Sequence, residues 1–362
     1  MIAAPVVVIG GGPAGATAAF HLARAGIDVV VVEAKAFPRI KVCGEYISPA
    51  ATGLLEELLP ASQLLAAGAL RVSELVIECG EQRHTWRTPH EAWALSRATL
   101  DTMLLDKARR AGARLVQPMS VRSVDYADDA ATVNLADGDS IRASVVIHAD
   151  GSGRHDPRGP VGLAPNLLGF KCHLRPPAGV QGVTMRACTG AYVGTISVEQ
   201  GLATCALAAS RPLAAAFRND IDGLVSHLWP AFRPSWRCSD WLACGVARSG
   251  YLGPGHARSI RIGNAAAAVD PVGGEGIGLA LWSGRLAAHV LAAASSLDGP
   301  ALEQCEEQLA SAYRRRLRTR RFACRWAAET LMRPRLVRTL WPLLKAPSLC
   351  VGPWYRLSGK PA

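Results

Sequence analysis

Gly10, Gly12 and Gly15 stand at the spacing GxGxxG in VVVIGGGPAGATAAF, and Glu33 closes the next apolar run eighteen residues after Gly15. Glycine at the first position allows a tight turn, at the second lets a pyrophosphate approach the backbone, and at the third lets a helix lie close on a strand. A carboxylate at Glu33 can accept both hydroxyls of an adenosine ribose and disfavours a 2′-phosphate. The chemistry is dinucleotide binding, and this loop alone leaves FAD and NAD open. A second glycine-rich turn, DPVGGEGIG, begins at Asp270, more than two hundred residues further on. An extended dinucleotide needs one loop for its pyrophosphate and another for its ribityl chain and ring, and this chain offers both.

Such loops must be held by regular elements. Val6–Ile9 reads as a buried strand, Pro13–Ala25 as a helix and Asp28–Val32 as a second buried strand, which makes a βαβ unit. Pro13 suits a first-turn position whose N–H has no helical partner. Near the other end, Ser259–Ile262 reads as a short strand leading into RIGNAAAAVDPVGGEGIG, and Leu279–Ala293 has helical spacing of apolar residues. A helix starting around Gly276 would aim its N-terminal amides at negative charge on a reduced ring, with Pro271, Gly273, Gly274 and Gly276 forming a backbone wall. Arg97 opens a helix with Leu100, Leu104 and Ala108 on one face, and Asp150 and Gly151 follow the apolar strand SVVIHA. LRVSELVIECGEQRHTWRTP and the segment 168–209 alternate as strands of an antiparallel sheet do.

With 362 residues, 49% of them apolar and 19% charged, the chain reads as two packed folded domains. The formal net charge of +11 concentrates between Arg314 and Arg338, where ten arginines face one acid, Glu329. Such a tract could meet anionic lipid, an acidic carrier protein or nucleic acid, or be a solvated helix face. No nucleic-acid module or aromatic single-strand platform accompanies it, so nucleic acid is not expected. The ten cysteines form no CxxC pair and no cysteine–histidine run fits zinc, so no metal is expected. Reduced thiols, and an apolar PVVVIG run leading straight into the glycine loop, point to the cytoplasm. IGLALWSGRLAAHVLAAA is interrupted by Arg285 and His289 and falls short of the ~20 apolar residues of a span, so any membrane contact is peripheral.

Three motifs in order, the GxGxxG with Glu33, VVIHADGSGR at 145–154 and GNAAAAVDPVGGEGIG, resemble the flavoprotein superfamily of aromatic hydroxylases, flavin halogenases and geranylgeranyl reductases. The resemblance covers most of residues 1–300 and implies a tightly held FAD. The fold it implies is α/β: a Rossmann-like FAD-binding domain of the glutathione reductase type, an inserted antiparallel β-sheet substrate domain and a helical C-terminal segment. The expected boundaries are 1–70, 96–160 and 245–300 for the FAD domain, 71–95 and 161–244 for the substrate domain, and 301–362 for the basic helical tail. Cofactor contacts are expected at Gly10, Gly12, Pro13, Ala14, Gly15, Glu33 and Ala34. Further along they are expected at Cys43, Gly44, Arg97, Val121, Asp150 and Gly151, and finally at Gly263, Asn264, Pro271, Gly274, Gly276 and Ile277.

Within the superfamily, PRIKVCGEYISP at 38–49 and DPVGGEGI at 270–277 resemble the geranylgeranyl reductase branch, and no halogenase WxWxIP motif occurs. Asn264 replaces the family's usual aspartate, and GAYVGTISVEQG keeps Tyr192 of the branch's YxWxFP segment but not its tryptophan or phenylalanine. Cys43, Gly44 and Tyr192 are the residues expected at the chemistry: a thiol beside a flavin could donate a proton, form a covalent contact or shape the pocket. Lys41 and Glu45 could tune it. No histidine spacing assembles a site. The expected activity is reduction of a carbon–carbon double bond in a hydrophobic or lipid-like substrate, with an external donor such as NAD(P)H. The alternatives are a monooxygenase of an aromatic or polyketide-like substrate and a flavin- or lipid-binding protein without turnover. The tail from Ala301 reads as helical until the prolines from Pro342 begin to break it; Trp326, Trp341 and Trp354 either pack in the core or tail, the preferred reading, or serve as interfacial anchors if the tail meets a membrane.

Overall fold

The computed structural model describes residues 2–358 apart from 152, 161, 254 and 257. The first strand, Ile2–Ile9, lies between Val29–Val32 and Ser140–His148, and all three run parallel, with Val6 opposite both Val29 and Val145. Arg114–Val116 and Ser259–Arg261 extend the parallel sheet on either side. Val6, Val7, Val8 and the four valines 29–32 are essentially inaccessible, as strands covered on both faces require. One face is covered by the helices Pro13–Arg24, Arg97–Arg110 and Gly276–Ala293, whose Leu22, Leu104 and Leu281 share one core with Val6 and Val31. The other face carries the hairpin Val121–Tyr126 and Ala131–Leu135, with Val133 and Leu135 packed on Val7 and Val30.

A second sheet roofs the first domain. Its order is Leu242–Ala247, Leu163–Leu174, Ala203–Ser210, Ala191–Ser197, Val183–Cys188, Leu70–Cys79, Gln82–Ala94 and Tyr46–Ile47. The pairing is antiparallel except between Leu70–Cys79 and Val183–Cys188, which run parallel with Leu75 opposite Val183. These two strands come from chain segments on either side of the long excursion through the first domain, so no hairpin joins them. Alternation sends Phe170, Cys172, Val193, Cys205 and Leu207 outward onto the helix Ile221–Leu228. The same alternation turns Gly169, Lys171 and His173 inward, opposite Ala208, Ala206 and Thr204.

The tail is helical further than its prolines suggest. Gly299–Leu331, capped by Asp298 accepting from Ala301 N at 3.0 Å, is followed by Pro334–Leu344 and Pro347–Ser358. Pro342 falls in the last turn of its helix, so the hydrogen bond it removes lies at the helix end and the run before it is kept, and Trp341 beside it is buried against Tyr192 and Val337. Two of the three tryptophans weighed as membrane anchors are therefore not free to act so: Trp341 is buried and Trp354 is half-buried beside Tyr355. Only Trp326 is exposed. The one helix among the described residues long and apolar enough to cross a membrane, Gly276–Ala293, is the core helix packed on Pro13–Arg24.

Candidate active site

The glycine loops from the two ends of the chain meet. Gly10, at φ +103°, passes so close to the Asp150 segment that a Cβ there would lie 2.8 Å from the backbone of Ala149 and Asp150. A Cβ on Gly15 would collide with the Gly10 carbonyl, so the helix rests directly on the turn. From the other end, Gly263 at φ +58° sits where a Cβ would be 2.9 Å from the Ala14 Cβ, and its N–H donates to Ser283 Oγ at 2.9 Å. Gly151, at φ +79°, faces the exposed Asn264, whose Cβ is 4.0 Å from the position a side chain would take. Asp150 itself accepts from Gly153 N at 3.0 Å.

At the ribose end, Glu33 is buried and accepts from Gly11 N at 2.7 Å and Lys35 N at 2.9 Å, with Arg39 at 3.9 Å. Ala34 lies exposed beside it. Met119 N donates to the Glu33 carbonyl at 2.8 Å, which brings the start of the hairpin to this end of the cradle. Val121 follows two residues later, but its side chain packs into the hydrophobic cluster under the sheet, so only its backbone is placed for a ligand.

Arg97 closes the cradle. Its guanidinium makes a two-bonded pair with Asp101, 2.6 and 2.7 Å, and stands 3.9 Å from where a Gly12 Cβ would be. Burial works against its charge and Asp101 more than restores it, so the group stays cationic beside the helix N-terminus at Pro13. Cys43 lies within its reach. A cation and a row of helix amides around small residues are what a pyrophosphate needs.

The two motifs 38–49 and 270–277 form one wall. A Cβ on Gly274, at φ +63°, would stand 2.5 Å from the Tyr46 ring, and Ser48 Oγ donates to Glu275 Oε1 at 3.1 Å. Glu275 in turn accepts from Arg320 Nη1 of the long helix at 3.0 Å, and Cys324 blocks any side chain at Gly273. Pro271 and Gly276 are exposed at the mouth, with open space around Gly276. Ile277 differs from expectation: its side chain is buried in the main core beneath the helix, so it meets a cofactor by backbone alone.

Cys43 is half-buried and Gly44 exposed with open space where its Cβ would be. Glu45 does not act on the thiol through its carboxylate. Its N–H donates to Cys43 Sγ at 3.3 Å, while its side chain turns away into the roof sheet. There Oε1 accepts from Lys171 Nζ and Arg97 N, both at 2.8 Å, and Oε2 bonds His173 Nε2 at 2.8 Å and the Thr204 hydroxyl. Burial alone would raise the Glu45 pKa, but the His173 hydrogen bond and the Lys171 charge outweigh it and lower it to about 2. Lys41 is pushed down by burial and by the nearby Arg97 and Arg39 charges. Tyr192 is buried and donates to Asp270 Oδ1 at 2.9 Å, so its hydroxyl is committed to holding the turn.

Glu45 was expected only as a neighbour that tunes the thiol; Lys171, His173 and Thr204 were not anticipated, nor was Glu199, which accepts from Ser96 N at 2.9 Å and ties the start of the Arg97 helix to the roof. The available signal was the alternation Lys171-Cys172-His173 within a strand, which puts two nitrogen-bearing side chains on one face of a sheet. The inner face of the roof sheet also carries small residues: Gly169 opposite Ala208, and Ala206 between Lys171 and Gly194. Gly194 and Ala206 keep partial exposure in the middle of the sheet. Val42 comes within 3.7 Å of the place a Gly169 Cβ would occupy, so the cysteine segment packs against this face of the roof.

A parallel sheet with a glycine turn, a carboxylate at its second strand and a second glycine loop converging on the first define a flavoprotein of the glutathione reductase type. The FAD binding domain family matches residues 3–160. The menaquinone reductase of Mycolicibacterium smegmatis is 31% identical over 82% of this chain and 78% of its own length. A geranylgeranyl bacteriochlorophyll reductase-like protein from Thermoplasma acidophilum superposes with a TM-score of 0.80 over 99% of this chain and 96% of its own, at 20% identity. A probable FAD-dependent monooxygenase from Pseudomonas aeruginosa superposes with a TM-score of 0.76 over 94% of this chain and all of its own, at 17% identity. The chain belongs to the superfamily of FAD-dependent oxidoreductases that includes geranylgeranyl reductases and flavin monooxygenases. It is an FAD-dependent enzyme, and its residues fit that cofactor: the positions where a side chain would fill the cradle are glycines.

Proposed function

We propose that the enzyme reduces a carbon–carbon double bond in the isoprenoid chain of a lipoquinone-like substrate, drawing electrons from NAD(P)H. The observation that supports this most is the Cys43 thiol, a proton donor half-buried within reach of Arg97 and beside the exposed Gly44, in the segment that forms the flavin wall. Similarity to menaquinone reductases over most of both chains supports the substrate class.

Bound FAD supplies hydride in its reduced form. The chain orients and protonates. The Cys43 thiol gives its proton to the alkene carbon opposite the one that receives hydride, the Arg97 charge nearby stabilises the thiolate left behind, and solvent at the exposed Gly44 restores the proton. Glu45 clamps the segment to Lys171 and His173 so that the thiol keeps its place. Gly44 leaves room for the substrate chain beside the backbone.

Anaerobic incubation of the FAD-loaded enzyme with NAD(P)H and menaquinone should yield a product heavier by two hydrogens. The strand Ala191–Ser197, which lacks the reductase branch's tryptophan and phenylalanine, favours a second reading, monooxygenation. Consumption of oxygen with one oxygen atom gained by the substrate, and no anaerobic product, would establish that reading in place of the first.

A further inference from the structure

We propose that one face of the long helix Gly299–Leu331 docks the enzyme on an anionic lipid surface. Phe322 and Trp326 are 76% and 62% exposed, the largest values among the exposed large hydrophobic side chains of the described residues. They stand four residues apart, hence one above the other on the same helix face. Leu357 of the last helix joins them across an open depression of about 620 Å³ whose other walls include Arg318 and Arg325.

Exposed guanidinium groups surround the two rings. Glu329 takes up Arg325 at 2.8 Å and Arg333 at 3.9 Å, while among the described residues no carboxylate pairs with Arg315, Arg318 or Arg321. Two protruding aromatic rings inside a rim of arginine match a layer of lipid phosphates over an apolar interior: the rings enter the boundary and the guanidinium groups stay with the phosphates. Nucleic acid would satisfy the arginines and leave the bulk of the rings and Leu357 without an apolar partner. An acidic protein is the remaining competitor, and the experiment separates it.

The placement also gives docking a purpose. The opposite side of the same helix turns carries Arg320, bonded to Glu275, and Cys324, packed on Gly273, so the wall of the flavin site lies about one helix diameter, roughly 10 Å, from the docked face. The inference goes beyond the reaction and stands on this surface alone.

The test is flotation of the FAD-loaded protein with phosphatidylcholine vesicles, with and without phosphatidylglycerol. The protein should float with the anionic vesicles only and be released by high salt. Phe322→Ser with Trp326→Ser should lower partitioning at least about tenfold, since each ring loses an apolar environment. Arg318→Glu with Arg321→Glu should do the same, with flavin content unchanged in both. Wild-type protein that stays at the bottom with both vesicles, as an acidic-protein dock predicts, or variants that float as well as wild type, would overturn the proposal. Flotation is read without turnover, so a protein that floats and reduces no alkene loses the reaction and keeps the docking face.

Discussion

Glu45 and Lys171 meet at 2.8 Å with neither side chain exposed to solvent at all. One belongs to the cysteine segment beside the flavin wall and the other to the roof sheet, so their bond fastens the two halves of the site together. Glu45 also holds a left-handed backbone, φ +57°, which non-glycine residues adopt only when their surroundings impose it. Removing one partner leaves a buried, unpaired charge. Lys171→Met and Glu45→Gln should each cost about 3–5 kcal/mol, and the double variant less than their sum, because the second change removes the stranded charge. Urea unfolding of the three variants measures the cycle, and additive costs would mean the pair is not coupled.

The cofactor cradle depends on glycine for space as well as for backbone freedom. Gly15→Ala pushes the helix off the turn at Gly10, and Gly10→Ala adds strain at φ +103° of about 1–3 kcal/mol to its collision with Ala149 and Asp150. Both variants should be isolated without yellow colour and titrate with FAD at least about tenfold more weakly, the loss those energies imply. Gly53→Ala, in the helix Pro49–Leu58, where a side chain meets nothing, should hold FAD as wild type does. Flavin absorbance after gel filtration distinguishes the three.

The cradle was legible in the sequence because each of its parts is a local signal: GxGxxG at a strand end, a carboxylate closing the next strand, a glycine turn before a helix. Their convergence was legible from the length of the dinucleotide. The Glu45 cluster was not, since it joins residues 126 and 128 positions apart through a sheet whose strand order no local pattern encodes. The partner of Tyr192 was hidden for a related reason: its type and motif suggested chemistry, and its hydroxyl is bonded to Asp270, 78 residues away. The tail was misjudged at Pro342, where the helix runs on, and composition left open which of its tryptophans are covered: Trp341 is buried and Trp326 is not.

Tyr192 therefore holds its place by positioning. Asp270 caps the turn that leads to Gly273 and Gly274, accepting from Val272 N at 3.1 Å as well as from Tyr192. Tyr192→Phe deletes one hydrogen bond and leaves a buried carboxylate less satisfied, which should lower stability by about 1–3 kcal/mol. Turnover per bound flavin should change less than threefold. A much larger fall in kcat at full flavin occupancy would return Tyr192 to the chemistry.

Acid should weaken the fold through two wholly or half-buried imidazoles, which together outweigh Glu306, a carboxylate that burial raises to about 7 and that works the other way as it takes up its proton. Burial pushes His148, bonded to Tyr126 at 2.7 Å, and the half-buried His21 down to about 4 from an ordinary 6.5. Below 6.5 the unfolded chain takes up protons that the folded one refuses, so stability falls with pH across the window from about 6.5 to 4. Glu45, lowered to about 2, adds a further loss as pH drops below its ordinary value near 4.5. The urea midpoint should decline steadily from pH 7 to pH 4, and His148→Gln should flatten the upper part of that decline. A midpoint constant from pH 7 to pH 5 would show that neither imidazole is held neutral.

Cys43 is the residue on which the reductive reading turns. Its thiol is half-buried, within reach of Arg97, and beside an exposed glycine through which solvent can exchange protons. A positioned proton donor contributes typically ~10²–10⁴ in rate. Cys43→Ala should therefore lower kcat by about that factor with little change in KM, since the variant loses a proton donor and a single sulfur atom. Its flavin spectrum should match wild type, because the cradle glycines and Arg97 are unchanged. Cys43→Ser, whose hydroxyl gives up a proton far less readily, should recover little. In deuterated water the wild-type enzyme should place one deuterium on the reduced carbon pair and turn over more slowly. If Cys43→Ala keeps its kcat within twofold while KM rises, the thiol shapes the pocket and the proton comes from another group.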